Sequence, residues 1–523
     1  MTSIVKAETL KQWLHDGQEI ALFDVREFGQ FSNSHIFLAS NLPYSRLEVD
    51  ATRLVPRRGV RIVLCDDGCA DLATRAASRL EALGFIHLWI LEGGTVAWAA
   101  AGYKLFGGVN VPSKTFGELV EQFHHTPQVR AIDLVKMKEN GEDFIILDGR
   151  PFAEYQQMNI PGASCCPNGE LPYRIRQLVP SESTKIVINC AGRTRSLIGA
   201  QTLINFGIKN PVFALENGTQ GWFLADLPLA YGSGDCHPAI DESADVPAGQ
   251  QAAERLATRY EVPTVDAVTV NKWLQESDRS LFLCDVRTAD EFRTGSLPGA
   301  QHTPGGQLVQ ATDEFIGVRN SRVVLFDTEN IRAKVTASWL KQMGWDVYVL
   351  AEGTAANLPT SAKSQLESAR LPLIECEVLA EGLSSETLAA FDLRSSTEYR
   401  TLHATKSVWA IRPSIVTAAK DLVVPIVLIA NEIGVARVAR EDLLATGMTD
   451  VRILQGGFEA WRDRGLPTES TPDNPAYADC VDYLFFEHQL QESKDAARRY
   501  LTWEVDLTGQ LDAQERAMFR LKA

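Results

Sequence analysis

One pattern recurs four times along the chain, and it constrains the fold more than any other feature. An apolar run ends in Asp-x-Arg at Asp24 and Arg26, Asp148 and Arg150, Asp285 and Arg287, and Asp392 and Arg394. A polar-aromatic pair follows each time: Gln30-Phe31, Glu154-Tyr155, Glu291-Phe292 and Glu398-Tyr399. A second apolar run comes next (VRIVLC, KIVIN, SRVVLF, PIVLIA), then a loop and a helical stretch. A third run leads into a glycine turn closed by Trp98, Trp222 and Trp461, with Asn357 in the matching place of the third repeat. From the Asp to the end of the second run the spacing is 41 (24 to 65), 42 (148 to 190), 42 (285 to 327) and 38 (392 to 430). A period of this length marks repeated supersecondary units. The β-branched runs predict buried parallel strands. Their alternation with helices predicts right-handed crossovers on a parallel sheet. In such sheets ligands sit beyond the carboxyl ends of the strands, so the loop after the second run is the place to look for chemistry.

The bulk numbers agree with several folded domains. There are 523 residues, 45% apolar and 23% charged, a globular composition. A net charge of −16 repels phosphate backbones and argues against nucleic-acid binding. No run approaches a membrane span, and the N-terminus lacks the apolar core of a signal peptide. A cytoplasmic location and no membrane partner are expected. Nine cysteines are sparse and odd in number, which disfavours a disulfide framework. The histidines show no metal-ligand spacing and no Cys-x-x-Cys pair exists, so neither metal nor cofactor is expected.

The segments divide as 1–106, 125–231, 262–360 and 372–470 for the repeats and 471–523 for a helical C-terminal tail. The polar linker 232–262 is expected to split the chain into two pairs, repeats one with two and three with four. Residues 107–124 are expected to join repeats one and two more closely. The tail, with helical spacing over DYLFFEHQLQESKDAARRYLTWEVDLTGQL, is expected to pack back on the body.

The Asp-x-Arg, the Glu-aromatic pair, the cysteine loop and the closing Gly-x-x-x-Trp together resemble the rhodanese (thiosulfate sulfurtransferase) family, over nearly the whole chain except the tail and long linker. The resemblance implies an α/β protein of four rhodanese-like domains, each a small parallel β-sheet flanked by helices. Repeat two reads IVINCAGRTRSL. Its loop is similar to the family's six-residue Cys-x-x-x-x-Arg active loop, with Cys190 as the catalytic residue. Ala191, Gly192, Arg193, Thr194, Arg195 and Ser196 are then the substrate-binding set.

A thiolate is the nucleophile. Inward N–H groups form an anion nest, and the next helix adds its N-terminal partial charge. Arg193 and Arg195 are expected to lower the thiol pKa and hold a dianion. Gly192 lets the loop turn tightly, and Ser196 is expected to cap the helix. The resemblance implies thiosulfate as sulfur donor, cyanide or a thiol as acceptor, and a Cys190 persulfide formed by covalent catalysis. The basic loop favours thiosulfate over 3-mercaptopyruvate. Four residues between Cys and Arg, where related phosphatases have five, speak against a phosphatase or arsenate reductase.

The other repeats are degraded. Repeat one keeps Cys65 but has Ala70 at the arginine position and Asp66, Asp67 and Asp71 around it, which disfavours a thiolate. Cys69 makes a redox pair conceivable. Repeat three has Asp327 in place of cysteine and keeps Arg332; repeat four has Ala430 and Val435 in place of both. Scaffolding, docking of a protein partner and homodimerisation are the roles open to repeats three and four. A non-catalytic scaffold or sulfur carrier is the alternative reading of the whole chain. Asp148, Arg150 and Glu154 are expected to form a structural ion-pair network. Cys165 and Cys166, after the Ile160–Ala163 turn, are either buried thiols or helpers of Cys190. Arg174 and Arg176 either line the entrance or cover a solvated helix face.

Overall fold

Each apolar run does become a strand, because only a sheet covered on both faces can bury so continuous a run of Ile, Val and Leu. A computed structural model of the chain describes residues 2–69, 71–238, 246–359, 371–483 and 493–522. In repeat two, five parallel strands lie in the order Gln128–Val129, Val212–Leu215, Lys185–Asn189, Phe144–Asp148 and Ala163–Cys165. The other three repeats carry five-stranded sheets of the same order. This order sets the strand ending in Asp-x-Arg beside the strand that ends at the loop. The four rhodanese-like sheets and the helical tail expected from the sequence are therefore present.

The pairing of the repeats differs from expectation. The chain divides into one unit of Met1–Gln12, Ala21–Val109 and Ala362–Phe485, and another of Trp13–Ile20, Asn110–Ser361 and Phe486–Ala523. Repeat one thus belongs with repeat four, and repeat two with repeat three. The 232–262 linker does not separate the pairs. Its helix Val246–Arg259 packs on helix Arg332–Gln342 of repeat three and on helix Thr194–Phe206 of repeat two. The 107–124 segment carries the boundary between units, at Val109 and Asn110, instead of a close join.

Buried side chains explain the grouping. In the first unit Arg412 is 1% exposed. It donates to Glu48 and to the Tyr44 carbonyl of repeat one and to Asp442 of its own repeat. In the second unit Arg332 is fully buried and donates to Glu170 of repeat two as well as to Glu291 and Glu329. Nearby, Trp339 Nε1 donates to Thr202 Oγ1 at 2.8 Å. The backbones of Gly169 and Gly306 meet so closely that a Cβ on Gly169 would lie 2.7 Å from Gly306 N. A long connection adds little closure entropy, so such surface matches, and not chain order, decide which repeats dock.

Helix Val111–His124 packs on helix Thr194–Phe206 and on the tail helix Lys494–Gln510, which also touches helix Gly218–Leu224. The tail therefore packs on the second unit as expected. It is N-capped by Ser493, whose Oγ accepts from Ala496 N.

Removing the Arg332 charge leaves Glu170, Glu291, Glu329 and Asp327 clustered without it. Breaking a buried pair in this way costs about 3–5 kcal/mol. Arg332→Met is expected to destabilise the second unit by that order in urea unfolding followed by tryptophan fluorescence. A loss below about 1 kcal/mol would show that the cluster does not hold the two repeats.

Candidate active site

Cys190 lies one residue beyond strand Lys185–Asn189 and is 2% exposed. Its Sγ accepts from the Ser196 backbone N–H at 3.3 Å and from Ser196 Oγ at 3.0 Å. Helix Thr194–Phe206 begins within the loop, so Ser196 stands inside its first turn and serves the sulfur; the N-cap position falls to Arg193. This corrects the capping role expected for Ser196.

The loop keeps its shape because its carbonyls are tied from behind. Thr219 donates to the Cys190 carbonyl through both N and Oγ1 at 2.8 Å, and Gln220 N donates to the Ala191 carbonyl at 3.0 Å. Gly218 has φ +52°, and a Cβ there would sit 2.5 Å from Cys190 O and 2.6 Å from Gly192 O. Only glycine fits that conformation without strain. Carbonyls tied in this way are what an anion nest requires, and in this loop the Ser196 N–H reaches the sulfur.

The degraded repeats show that nest filled. Asp327 occupies the cysteine position of repeat three, and its Oδ2 accepts from Ile331 N and Arg332 N at 3.1 and 3.0 Å. In repeat one Asp66 accepts from Gly68 N and Ala73 N at 2.7 and 3.0 Å. In both repeats a carboxylate side chain thus takes the loop N–H groups. Cys65 is fully buried, and burial with Asp24 and Asp66 pushes its thiol well up. Ala70 lies outside the described residues.

Both loop arginines are held by carboxylates. Arg195 is held bidentate by Glu154 at 2.8 Å on each nitrogen. Arg193 donates to Glu118 at 2.8 and 2.9 Å, to Glu121 at 2.6 Å and to Asn217. Carboxylates neutralise both and push both guanidiniums up. The thiol is not lowered. Burial pushes Cys190 above the usual cysteine value; the Arg195 charge and the Ser196 hydrogen bonds pull it down, and Glu504 pushes it further up. Desolvation outweighs the charges because a buried thiolate loses its hydration.

Thr194 is buried and donates through Oγ1 to Glu504 Oε1 at 3.2 Å. Gly192 faces the tail helix: a Cβ on it would lie 2.9 Å from Glu504 Oε2 and 3.0 Å from Tyr500 Cε1. Ala191 contributes its carbonyl to Gln220. Asn189 Nδ2 bridges Asp148 Oδ2 and Thr219 Oγ1, linking the Asp-x-Arg pair to the loop. The expected ion-pair network is present for Asp148 and Arg150, at 2.7 Å, whereas Glu154 pairs with Arg195.

Cys165 and Cys166 are both buried. Cys165 stands opposite Cys236 in a short parallel bridge, with Cys165 N donating to Asp235 O and His237 N to Cys165 O. Cys236 is held low by the Cys165 thiol and His237. Arg174 is buried, paired with Glu170 and donating to Pro238 O, and it lines a cavity of about 610 Å³ with Cys236 and His237; Arg176 is exposed. Thr219, Asn189, Glu118, Glu121 and Glu504 were not singled out in the sequence. Glu118, Glu121 and Glu504 lie 72 or more residues from the loop arginines or Thr194, beyond any motif. Thr219 sat in plain view within the glycine turn. Among the described residues no group of His, Cys, Asp or Glu is arranged to hold a metal ion, and no helix is long and apolar enough to cross a membrane.

A raised thiol pKa gives a direct expectation. Cys190 carboxamidomethylation by iodoacetamide, read by peptide mass spectrometry, should accelerate through a midpoint above the ordinary cysteine value of about 8.5. Gly218→Ala should move that midpoint by disturbing the Cys190 carbonyl. A wild-type midpoint below about 8 would mean that the loop charges outweigh burial after all.

Comparison with known proteins agrees with this geometry. The rhodanese-like domain family model matches residues 6–101, 131–225, 267–356 and 375–464. A crystal structure of thiosulfate sulfurtransferase from Pseudomonas aeruginosa is 38% identical over 99% of both chains, with a TM-score of 0.91. A solution structure of a rhodanese-like domain from Anabaena sp. is 29% identical over 20% of this chain and 80% of its own, with a TM-score of 0.19. A search of the curated proteins found no match. With four matched domains and a relative aligned along nearly its full length, the chain belongs to the rhodanese family.

Proposed function

We propose that the chain is a sulfurtransferase that moves the sulfane sulfur of thiosulfate to cyanide or a thiol through a persulfide on Cys190. The observation that carries this reading is the Cys190 sulfur, hydrogen-bonded by Ser196 N and Oγ at the head of a loop whose carbonyls are tied away from it. After the thiol proton leaves, the thiolate attacks the outer sulfur of thiosulfate. The sulfur–sulfur bond breaks and sulfite departs with the electron pair, leaving Cys190–S–S⁻. The inward N–H groups stabilise the new anion. A nucleophilic acceptor then attacks the terminal sulfur and restores the thiolate, giving ping-pong kinetics. The relative of similar length from Pseudomonas aeruginosa is described as a thiosulfate sulfurtransferase, which supports the same donor here.

A second reading has its own observation. Cys190 is 2% exposed and both loop arginines are neutralised. Such a site suits a sulfur carrier that exchanges with a protein partner, with repeats three and four as docking or dimerisation surface. The chain would work in the cytoplasm under either reading.

Thiocyanate formation from thiosulfate and cyanide separates the two. Wild type should turn over with ping-pong kinetics, Cys190→Ser should lose at least about 10³-fold in kcat, and Cys65→Ser should match wild type. Absence of turnover in wild type would leave the carrier reading in its place, and full activity in Cys190→Ser would overturn Cys190 as the sulfur-bearing residue under both.

A further inference from the structure

The tail helix brings a carboxyl group against the loop that no part of the proposed reaction has used. Glu504 is 1% exposed. Its Oε1 accepts from Thr194 Oγ1 and Tyr500 OH, each at 3.2 Å. Its Oε2 is buried with no hydrogen-bond partner and points at Gly192, in the middle of the Cys190 loop. No ion pair holds Glu504 among the described residues. A buried carboxyl with one oxygen unsatisfied is the arrangement that keeps a carboxylic acid neutral.

The surrounding charge makes that proton matter. Three cations face this region: Arg193 and Arg195 of the loop, and Lys114 of helix Val111–His124, whose ammonium lies over the Tyr500 and Trp503 rings. Glu118 and Glu121 of that same helix and Glu154 offset them. With Glu504 neutral, the charges around Cys190 balance. With Glu504 ionised, the loop carries an excess negative charge beside a sulfur that must itself become an anion. Burial drives Glu504 up, while Lys114 and Arg193 pull it down, and Glu504 in turn raises Cys190.

We propose that Glu504 is the specificity-determining residue of the Cys190 site: as a neutral acid it lets an anionic donor approach the thiolate, and as a carboxylate it turns that donor away. The proposal deepens the sulfurtransferase reading, since thiosulfate is a dianion and the cyanide acceptor has a smaller charge. Gly192 is the counterpart on the loop side, because any side chain there would strike the Glu504 carboxyl and the Tyr500 ring. The charge preference is therefore built jointly by the loop and the tail.

The test compares a neutral and an anionic alkylating agent on Cys190 in the full chain. Both iodoacetamide and iodoacetate react only with the thiolate, so the ratio of their rates cancels the Cys190 titration and reads the local charge. Modification at Cys190 is followed by peptide mass spectrometry from pH 5 to 10. In wild type the iodoacetate-to-iodoacetamide ratio should fall about tenfold as pH rises through the Glu504 titration, the size expected for one partly screened charge nearby. In Glu504→Gln the ratio should stay flat and high, and in Glu504→Asp the fall should return. Lys114→Gln removes a cation that favours the carboxylate, so the fall should move to higher pH. This gives a readout should the Glu504 variants not fold.

An equal fall in wild type and Glu504→Gln would overturn the proposal. So would a Cys190 closed to both reagents in both proteins, which would make the tail a plug and not a charge filter. Because alkylation needs no sulfur transfer, failure of the thiosulfate reaction would leave this result readable on its own. Where thiosulfate does turn over, Glu504→Gln should lower KM for thiosulfate several-fold at pH 9 with kcat nearly unchanged; a merely structural residue would not give that split.

Discussion

Everything in each repeat hangs on one buried ion pair, the Asp and Arg at the end of the first central strand. Asp24, Asp148, Asp285 and Asp392 are all fully buried. Each carboxylate is gripped by the Nε and Nη2 of the arginine two residues on. In every repeat that arginine also donates to a backbone carbonyl eight residues later, at Ser34, Met158, Gly295 and Leu402. The pair therefore fixes the turn that leaves the strand and the end of the short helix that follows. Burying two charges is costly unless their hydrogen bonds are complete, and here they are. That cost explains why the pair persists in repeats that have lost the cysteine: its work is structural.

A second brace stands behind the loop. Trp98, Trp222 and Trp461 each donate through Nε1 to a carbonyl six residues on, and each lies within a seven-residue helix. In repeat three, where Asn357 replaces the tryptophan, only the short 3-10 turn Gly353–Ala355 forms. Even there, Gly353 comes within contact of the Asp327 carbonyl. The glycine turn thus backs the loop in all four repeats. What differs is the group in front: a thiol in repeat two, carboxylates in repeats one and three, and in repeat four an Asn431 that donates to Glu398. Repeat three has turned its loop outward as a clamp, its Arg332 reaching Glu170 of repeat two.

Around Cys190 the scaffold spends its cations on carboxylates. Glu154 takes Arg195 much as Glu291 takes Arg332 in repeat three, so this pair shapes the loop. The sulfur is left with N–H and O–H donors, and with a proton that burial makes hard to remove. Helix Val111–His124 and the tail helix complete the surroundings, supplying Glu118, Glu121, Lys114 and Glu504. The Cys190 loop is one repeat's own, whereas most of its electrostatic setting is assembled from segments outside that repeat.

The four repeats, their parallel strands and the position of Cys190 were all legible in the sequence. Strand periodicity, Asp-x-Arg and the glycine turn are local signals, and local hydrogen bonds enforce them. The carboxylate partners of Arg193 and Arg195 and the place of Ser196 inside the helix could not be read from their residue types. A guanidinium near a cysteine says nothing of the Glu118 or Glu154 that will neutralise it, and a serine at the start of a helix can serve a sulfur instead of a cap. Chain order likewise suggested neighbouring pairs, whereas Arg412 with Glu48 and Arg332 with Glu170 join repeat one to four and two to three. The sequence by itself determined the four α/β repeats and the one loop that keeps both its cysteine and its arginine, because those depend on contacts within about 40 residues. Only the tertiary structure decided which repeats dock and what charge surrounds the sulfur, because burial and long-range pairing set both.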